Sequence, residues 1–207
     1  MARTRRIYGQ QGCRYAISCR INDRHIYRFQ DRRVTKMIYE VLAEAKKKFG
    51  FSLYFFTVMG NHLHKKIQVS GQAQDISKIM HWINFTIAMR YNKLTGHEGR
   101  LWRERFKSKV IEDWNYFINC AAYIARNPER AGIAPASEYH FGSAIFLYKN
   151  KHPLQEFDQY RHLCTEAYSG YFEQVKQFVE IQSKAEKCSF ELSMAPGLIG
   201  RPKKTDE

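Results

Sequence analysis

Residues 51–69 read FSLYFFTVMGNHLHKKIQV, and this stretch decides the fold. Phe51 to Met59 is an aromatic and β-branched run, Gly60-Asn61 interrupts it, and His62 to Val69 resumes extended chemistry before Ser70-Gly71. The pattern predicts a strand, a short turn and a second strand. Residues two apart on a strand point the same way, so His62 and His64 project together, as a bidentate grip on a metal ion requires. An HxH pair taken alone is more often a surface or hydrogen-bonded pair, so its company matters.

Upstream, Tyr15, Ile17, Cys19 and Ile21 alternate with Arg14, Ser18 and Arg20, which predicts a strand with one buried face. From Asp31 to Phe49 the positions Val34, Met37, Ile38, Val41, Leu42 and Ala45 recur at helical spacing. Asp31 can cap the start, and Lys46 to Lys48 load the last turn before Gly50. Downstream, Ile76, Ile79, Met80, Ile83, Ile87, Tyr91 and Leu94 predict a second helix over 74–94. Arg100 to Glu112 reads as an extended basic segment. A third helix is predicted from Trp114 to Arg126, ended by Pro128, which disfavours helical backbone at the residue before it.

The order strand, helix, strand, strand, helix, strand is the split βαβ pattern. It predicts an α+β, ferredoxin-like antiparallel sheet with helices on one face. To this are added the helix that carries Tyr123 and a helical extension over Tyr168–Lys184. The expected divisions are a main domain over 1–145, the extension over 146–192 and a flexible basic tail over 193–207. A chain of 207 residues can bury one good core but hardly two independent enzyme domains.

Lys and Arg number 34 against 20 Asp and Glu, giving a net charge of +14 and a pI near 9.6. Such an excess favours a polyanion, nucleic acid before an anionic membrane. Fourteen Phe, thirteen Tyr and three Trp accompany it, and bases can stack on aromatic faces, although most of these rings are expected in the core. The five cysteines are widely spaced with no CxxC, which fits reduced thiols and a cytoplasmic location. No apolar run approaches the ~20 residues of a membrane helix, so no membrane association is expected.

On the third helix Asn119, Tyr123, Arg126 and Asn127 fall along one stripe, while Phe117, Cys120, Ala121 and Ile124 can pack on the sheet. A phenol with a reference pKa of ~10 is a poor nucleophile until a neighbouring positive charge stabilises the phenolate. A divalent cation can polarise a phosphate and align it for in-line attack. Two imidazoles and an amide oxygen would leave positions open for phosphate and water, a set suited to Mg²⁺ or Mn²⁺ that does not exclude Zn²⁺.

Gly60-Asn61-His62-Leu63-His64 resembles the His-hydrophobic-His motif of HUH endonucleases. Leu101-Trp102-Arg103-Glu104-Arg105-Phe106 and the stretch from Tyr123 through Asn127-Pro128-Glu129-Arg130 to Gly132 resemble the rest of the single-tyrosine HUH transposases, most nearly the REP-associated tyrosine transposases. The resemblance covers about residues 10–145. It implies a transposase whose tyrosine makes a 5′-phosphotyrosine bond with single-stranded DNA beside a hairpin and frees a 3′-hydroxyl. By position it makes Tyr123 the nucleophile, His62 and His64 metal ligands, and Asn127 the amide completing the site. The chain departs from the family at Gly60, where Pro is frequent, and at Lys65-Lys66, where aliphatic residues are usual. Lys66 shares the histidine face and is expected to contact phosphate. Lys65 lies on the face that meets the helices, where it must snorkel at a sheet edge or mark an irregular strand.

The expected DNA-binding residues are Lys66, Arg100, Arg103, Arg105, Lys107, Arg126 and Arg130, together with Arg201 and Lys203 in Gly200-Arg201-Pro202-Lys203-Lys204. That last stretch is similar to the core of an AT-hook but reads more readily as a solvated basic terminus. The expected partners are single-stranded and hairpin DNA, with a homodimer possible. Two other readings remain open at this point. One is a catalytically inactive DNA-binding protein of the same fold, and the other a small relaxase-like or replication-initiator-like nickase.

Overall fold

β1 (Arg14–Arg20), β2 (Ser52–Met59), β3 (His62–Gln68) and β4 (Lys107–Ile111) form one antiparallel sheet in the order β2-β3-β1-β4. The computed structural model describes residues 12–22, 28–71, 75–164 and 169–194, without the side chains of 28, 169 and 186–194. α1 (Arg32–Phe49) and α2 (Asp75–Thr95) make the two crossovers, so the ferredoxin-like topology predicted from the pattern is observed. α3 (Trp114–Ala125), the single-turn helices α4 (Asn127–Arg130) and α5 (Ile145–Tyr148), and α6 (Ser169–Met194) follow. α1 begins and ends where its sequence signals lie. The Asp31 carboxylate accepts from the Arg33 N–H, and Gly50 takes the left-handed conformation at φ 65°, its N–H closing onto the Lys46 carbonyl.

Strand alternation divides the interior in two. Tyr15, Ile17, Cys19, Leu63 and Ile67 face α1 and α2, joining Val34, Ile38, Leu42, Ile83 and Ile87 in the larger core. The opposite face receives α3 and α6: Phe117, Ala121 and Ile124 meet Tyr171, Val175 and Val179 over Tyr54 and Phe55. Tyr54 and Phe55 both reach this face because the β2 register shifts between Leu53 and Phe55, a bulge that re-aims one side chain. Residues 146–192, read from sequence as an extension, thus contribute through α6 to the core that seats the Tyr123 helix.

The free edge of β2 is covered by the chain's own residues 139–143. Val58 N–H donates to the Phe141 carbonyl at 2.8 Å, Ser143 N–H to the Phe56 carbonyl at 2.9 Å, and Tyr139 Oη to the Val58 carbonyl at 2.6 Å. Gly142 allows this close approach, since a Cβ would stand 3.0 Å from the Phe56 carbonyl oxygen and 3.2 Å from Thr57 Cα, and the β2 backbone would have to give by a few tenths of an ångström. The extended segment expected over 100–112 is shorter than predicted. Trp102 makes a single bridge to Ile21, residues 103–105 bend, and the strand starts only at Lys107. Among the described residues no helix is long and apolar enough to cross a membrane.

Candidate functional site

The Gly60-Asn61 turn fixes where β3 starts, because its two carbonyls are taken by the Phe29 and Ile21 N–H groups, each at 3.0 Å. Two residues later His62 and His64 stand together on the α3 side, ring centroids 4.9 Å apart and planes at 90°. His62 Nδ1 lies 2.7 Å from Asn61 Oδ1, which holds the proton on Nδ1 and leaves Nε2 with its lone pair directed away. Burial lowers the His62 pKa to about 4, with nearby Arg20 adding to the effect. Burial likewise lowers His64 to about 3, aided by His62 and Lys65. Both rings are therefore neutral at ordinary pH, the form that ligates a metal.

α3 starts on Asp113, whose carboxylate accepts from the Tyr116 N–H, and is tied to the sheet at its other end. There Thr57 Oγ1 donates to the Ile124 carbonyl at 3.0 Å. This places Tyr123 over the histidines, its ring 6.3 Å from His64 and at 89° to it. Tyr123 is 47% exposed, while its neighbours Ala122 and Ile124 are buried. Arg130 sets its guanidinium 5.0 Å from the Tyr123 ring centroid. Asn127 Nδ2 donates to the Tyr123 carbonyl at 2.9 Å, so its Oδ1 is the atom that could accept a metal ion. His62, His64, Tyr123 and Asn127 all line one cleft of about 400 Å³, together with Ser18, Arg20, Arg103, Glu104, Arg105 and Lys107. No three of His, Cys, Asp or Glu cluster as a metal site among the described residues. The donor set is two neutral imidazoles and an amide oxygen, which suits a divalent cation that keeps open positions.

Two expected DNA contacts are corrected. Lys66 is fully buried, donating to the Phe117 carbonyl and lying 3.0 Å from the Phe117 ring centroid. It does share the histidine face, but α3 and Tyr171 of α6 cover that part of it, and burial lowers its pKa to about 6. Arg126 is 3% exposed. Its Nε donates to Ser183 Oγ at 3.1 Å and its Nη1 to Gln182 Oε1 at 3.2 Å, which makes it a clamp between α3 and α6. Lys65 neither snorkels nor breaks the strand: β3 pairs regularly with β1 there, and Nζ sits in the core 3.6 Å from Cys19 Sγ.

The other predicted cations occupy distinct places. Arg103, Arg105 and Lys107 are exposed along the cleft, Lys107 paired with Glu104 at 3.0 Å. Arg100 is exposed in a separate groove on α2, and Arg130 stands beside Tyr123. Arg201 and Lys203 lie outside the described residues. Sequence reasoning missed Arg20 and Ser18, which pair across the ladder with His62 and His64 and line the cleft. The period-two alternation of β1 already put both on its polar face and could have identified them.

A family model described as IS200-like transposase matches residues 10–127, more than half the chain. The chain belongs to the IS200-like transposases. The transposase shares its fold with a REP-associated tyrosine transposase solved bound to a REP hairpin, at TM-score 0.60 and 19% identity, over 69% of this chain and 82% of that one. A candidate transposase from Deinococcus radiodurans R1 matches at TM-score 0.40 and 17% identity, over 64% and 92% of the two chains. No curated protein matches the transposase. Family membership agrees with the resemblance seen in the His62 and Tyr123 motifs.

Proposed function

We propose that this transposase cleaves and rejoins single-stranded DNA beside a hairpin, with Tyr123 as the nucleophile. The observation that carries the reading is that Tyr123, His62, His64 and Asn127 line a single cleft, although the histidines and the tyrosine come from elements far apart in sequence. Tyr123 Oη would form a bond to the scissile phosphorus while the P–O3′ bond breaks, leaving a 5′-phosphotyrosine and a free 3′-hydroxyl that takes up the proton. Attack of a 3′-hydroxyl on the phosphotyrosine reverses the step and rejoins a strand. Arg130 holds a positive charge beside the ring, where negative charge on the phenolate oxygen is compensated. Arg103, Arg105 and Lys107 supply exposed charge along the approach for the phosphate backbone.

His62 Nε2, a ring nitrogen of His64 and Asn127 Oδ1 would hold Mg²⁺ or Mn²⁺. Such an ion, when bound, supplies Lewis-acid polarisation of the scissile phosphate. The hairpin as partner is suggested by the complex of the structural relative with a REP hairpin. The test is incubation with hairpin-bearing single-stranded DNA and Mn²⁺, followed by denaturing electrophoresis. A covalent protein–DNA band that EDTA suppresses is expected. A free 5′-phosphate with no adduct would show that water, not Tyr123, is the nucleophile.

A further inference from the structure

On α2, away from the cleft, lies an aromatic and basic surface that the chemistry above does not use. Phe85 is 60% exposed, on a helix whose other face is fully packed. His81, one turn earlier, lies nearly parallel to it, with planes at 15° and centroids 6.3 Å apart, so two similarly oriented rings stand side by side on the groove. Facing them is the segment 99–106. The groove between is about 470 Å³ and is lined by His81, Asn84, Phe85, Arg100, Trp102 and Arg105 among others. Trp102 Nε1 donates to the Asn84 carbonyl at 2.8 Å, which ties the segment to α2 and fixes the groove's shape. Glu104 and Arg105 line both this groove and the Tyr123 cleft, so the two hollows meet across one short segment.

We propose that this groove binds unpaired bases of the DNA strand that enters or leaves the Tyr123 cleft, stacking them on Phe85 and His81 while Arg100 and Arg105 meet their phosphates. The inference rests on the single-stranded DNA reading given above. Exposed aromatic faces with guanidinium groups along the same groove are the combination that holds single-stranded nucleic acid. A second copy of the chain fits the charge poorly, since it would bring Arg100 and Arg105 toward their like on a protein of net charge +14. Stacking accepts any base, so the groove would hold the strand's path and not read its sequence.

The experiment uses the full chain and single-stranded oligonucleotides carrying 5-iodouracil at successive positions from the scissile phosphate, with Phe85→Ala, Phe85→Leu and Phe85→Trp as variants. The expected result is a photocrosslink to Phe85 or Trp102 from a position a few nucleotides from the cleaved bond. Phe85→Ala and Phe85→Leu should each weaken binding about tenfold, as for loss of one stacked base, while Phe85→Trp keeps it. Because the ring is exposed, thermal stability should not move. Crosslinks confined to the Tyr123 cleft, with affinity unchanged in Phe85→Ala, would overturn the groove and leave the cleavage reading standing. Oligonucleotides that bind nowhere would sink the cleavage reading itself. A Phe85→Ala variant that alters the concentration dependence of molecular mass but not DNA affinity would give the patch to a second copy and overturn the proposal.

Discussion

The two faces of the sheet are built from the same strands and come to opposite ends. Toward α1 and α2, β3 sends Leu63, Lys65 and Ile67, and all three are sealed. Toward α3 it sends His62, His64 and Lys66; Lys66 is sealed by α3 and α6, while the two histidines open onto the cleft. One face is closed by α1 and α2, the other by α3 with α6 packed beside it, and that second cover stops short of the two histidines. The uncovered corner of an otherwise dry sheet is where ligating and reacting groups can be held rigidly and still meet solvent. This teaches that chemistry here depends on incomplete cover as much as on the identity of the residues.

The sharpest way to test that contrast is Tyr123→Phe, which removes one hydroxyl on the open face. The covalent adduct should fall on the order of 10⁴-fold or more, with the thermal midpoint nearly unchanged because the ring is half exposed. An adduct formed by the Phe variant would end the assignment. Next in size is the pair of neighbours Leu63→Ala and His64→Ala. Leu63→Ala should cost about 2–5 kcal/mol in denaturant unfolding, since it empties part of the closed core. His64→Ala should lose metal-dependent cleavage at little cost in stability. If both variants unfold alike, the two faces are not as different as the cover suggests.

Arg103→Ala should weaken single-stranded DNA binding roughly two- to tenfold and lower the slope of log affinity against log salt by about 1. An unchanged slope would take the DNA off this side of the cleft. The smallest effect is expected from Lys66→Met. Its ammonium is already disfavoured by burial, so stability should stay within about 1 kcal/mol and DNA affinity should not change. A large loss of DNA affinity in a stable Lys66→Met protein would restore Lys66 as a phosphate contact.

Local signals made much of the molecule legible in the sequence. α1 is bounded by its Asp31 cap and its Gly50 stop, and the hairpin is set by the Gly60-Asn61 interruption. What could not be read was which surfaces meet. Period two puts Lys66 beside His64 but says nothing about α6, more than a hundred residues later, lying over it. Helical spacing put Arg126 beside Tyr123, but Arg126 is the cap, at φ −87° and ψ 0°, where helical extrapolation fails and the side chain turns toward Ser183. Arg100 to Glu112 reads as one extended basic segment because its composition is uniform, and the bend at 103–105 leaves no mark in it.

The bond from Thr57 to the Ile124 carbonyl joins residues 67 apart and bears on how the protein is made. The hairpin with both histidines is local and can close in microseconds once Gln68 is available. Tyr123 reaches it only when α3 has been synthesised and docked across that long loop, a slow kind of closure. During translation a half-made chain therefore holds the two imidazoles with no tyrosine over them, and the cleft is completed only after α3 has followed.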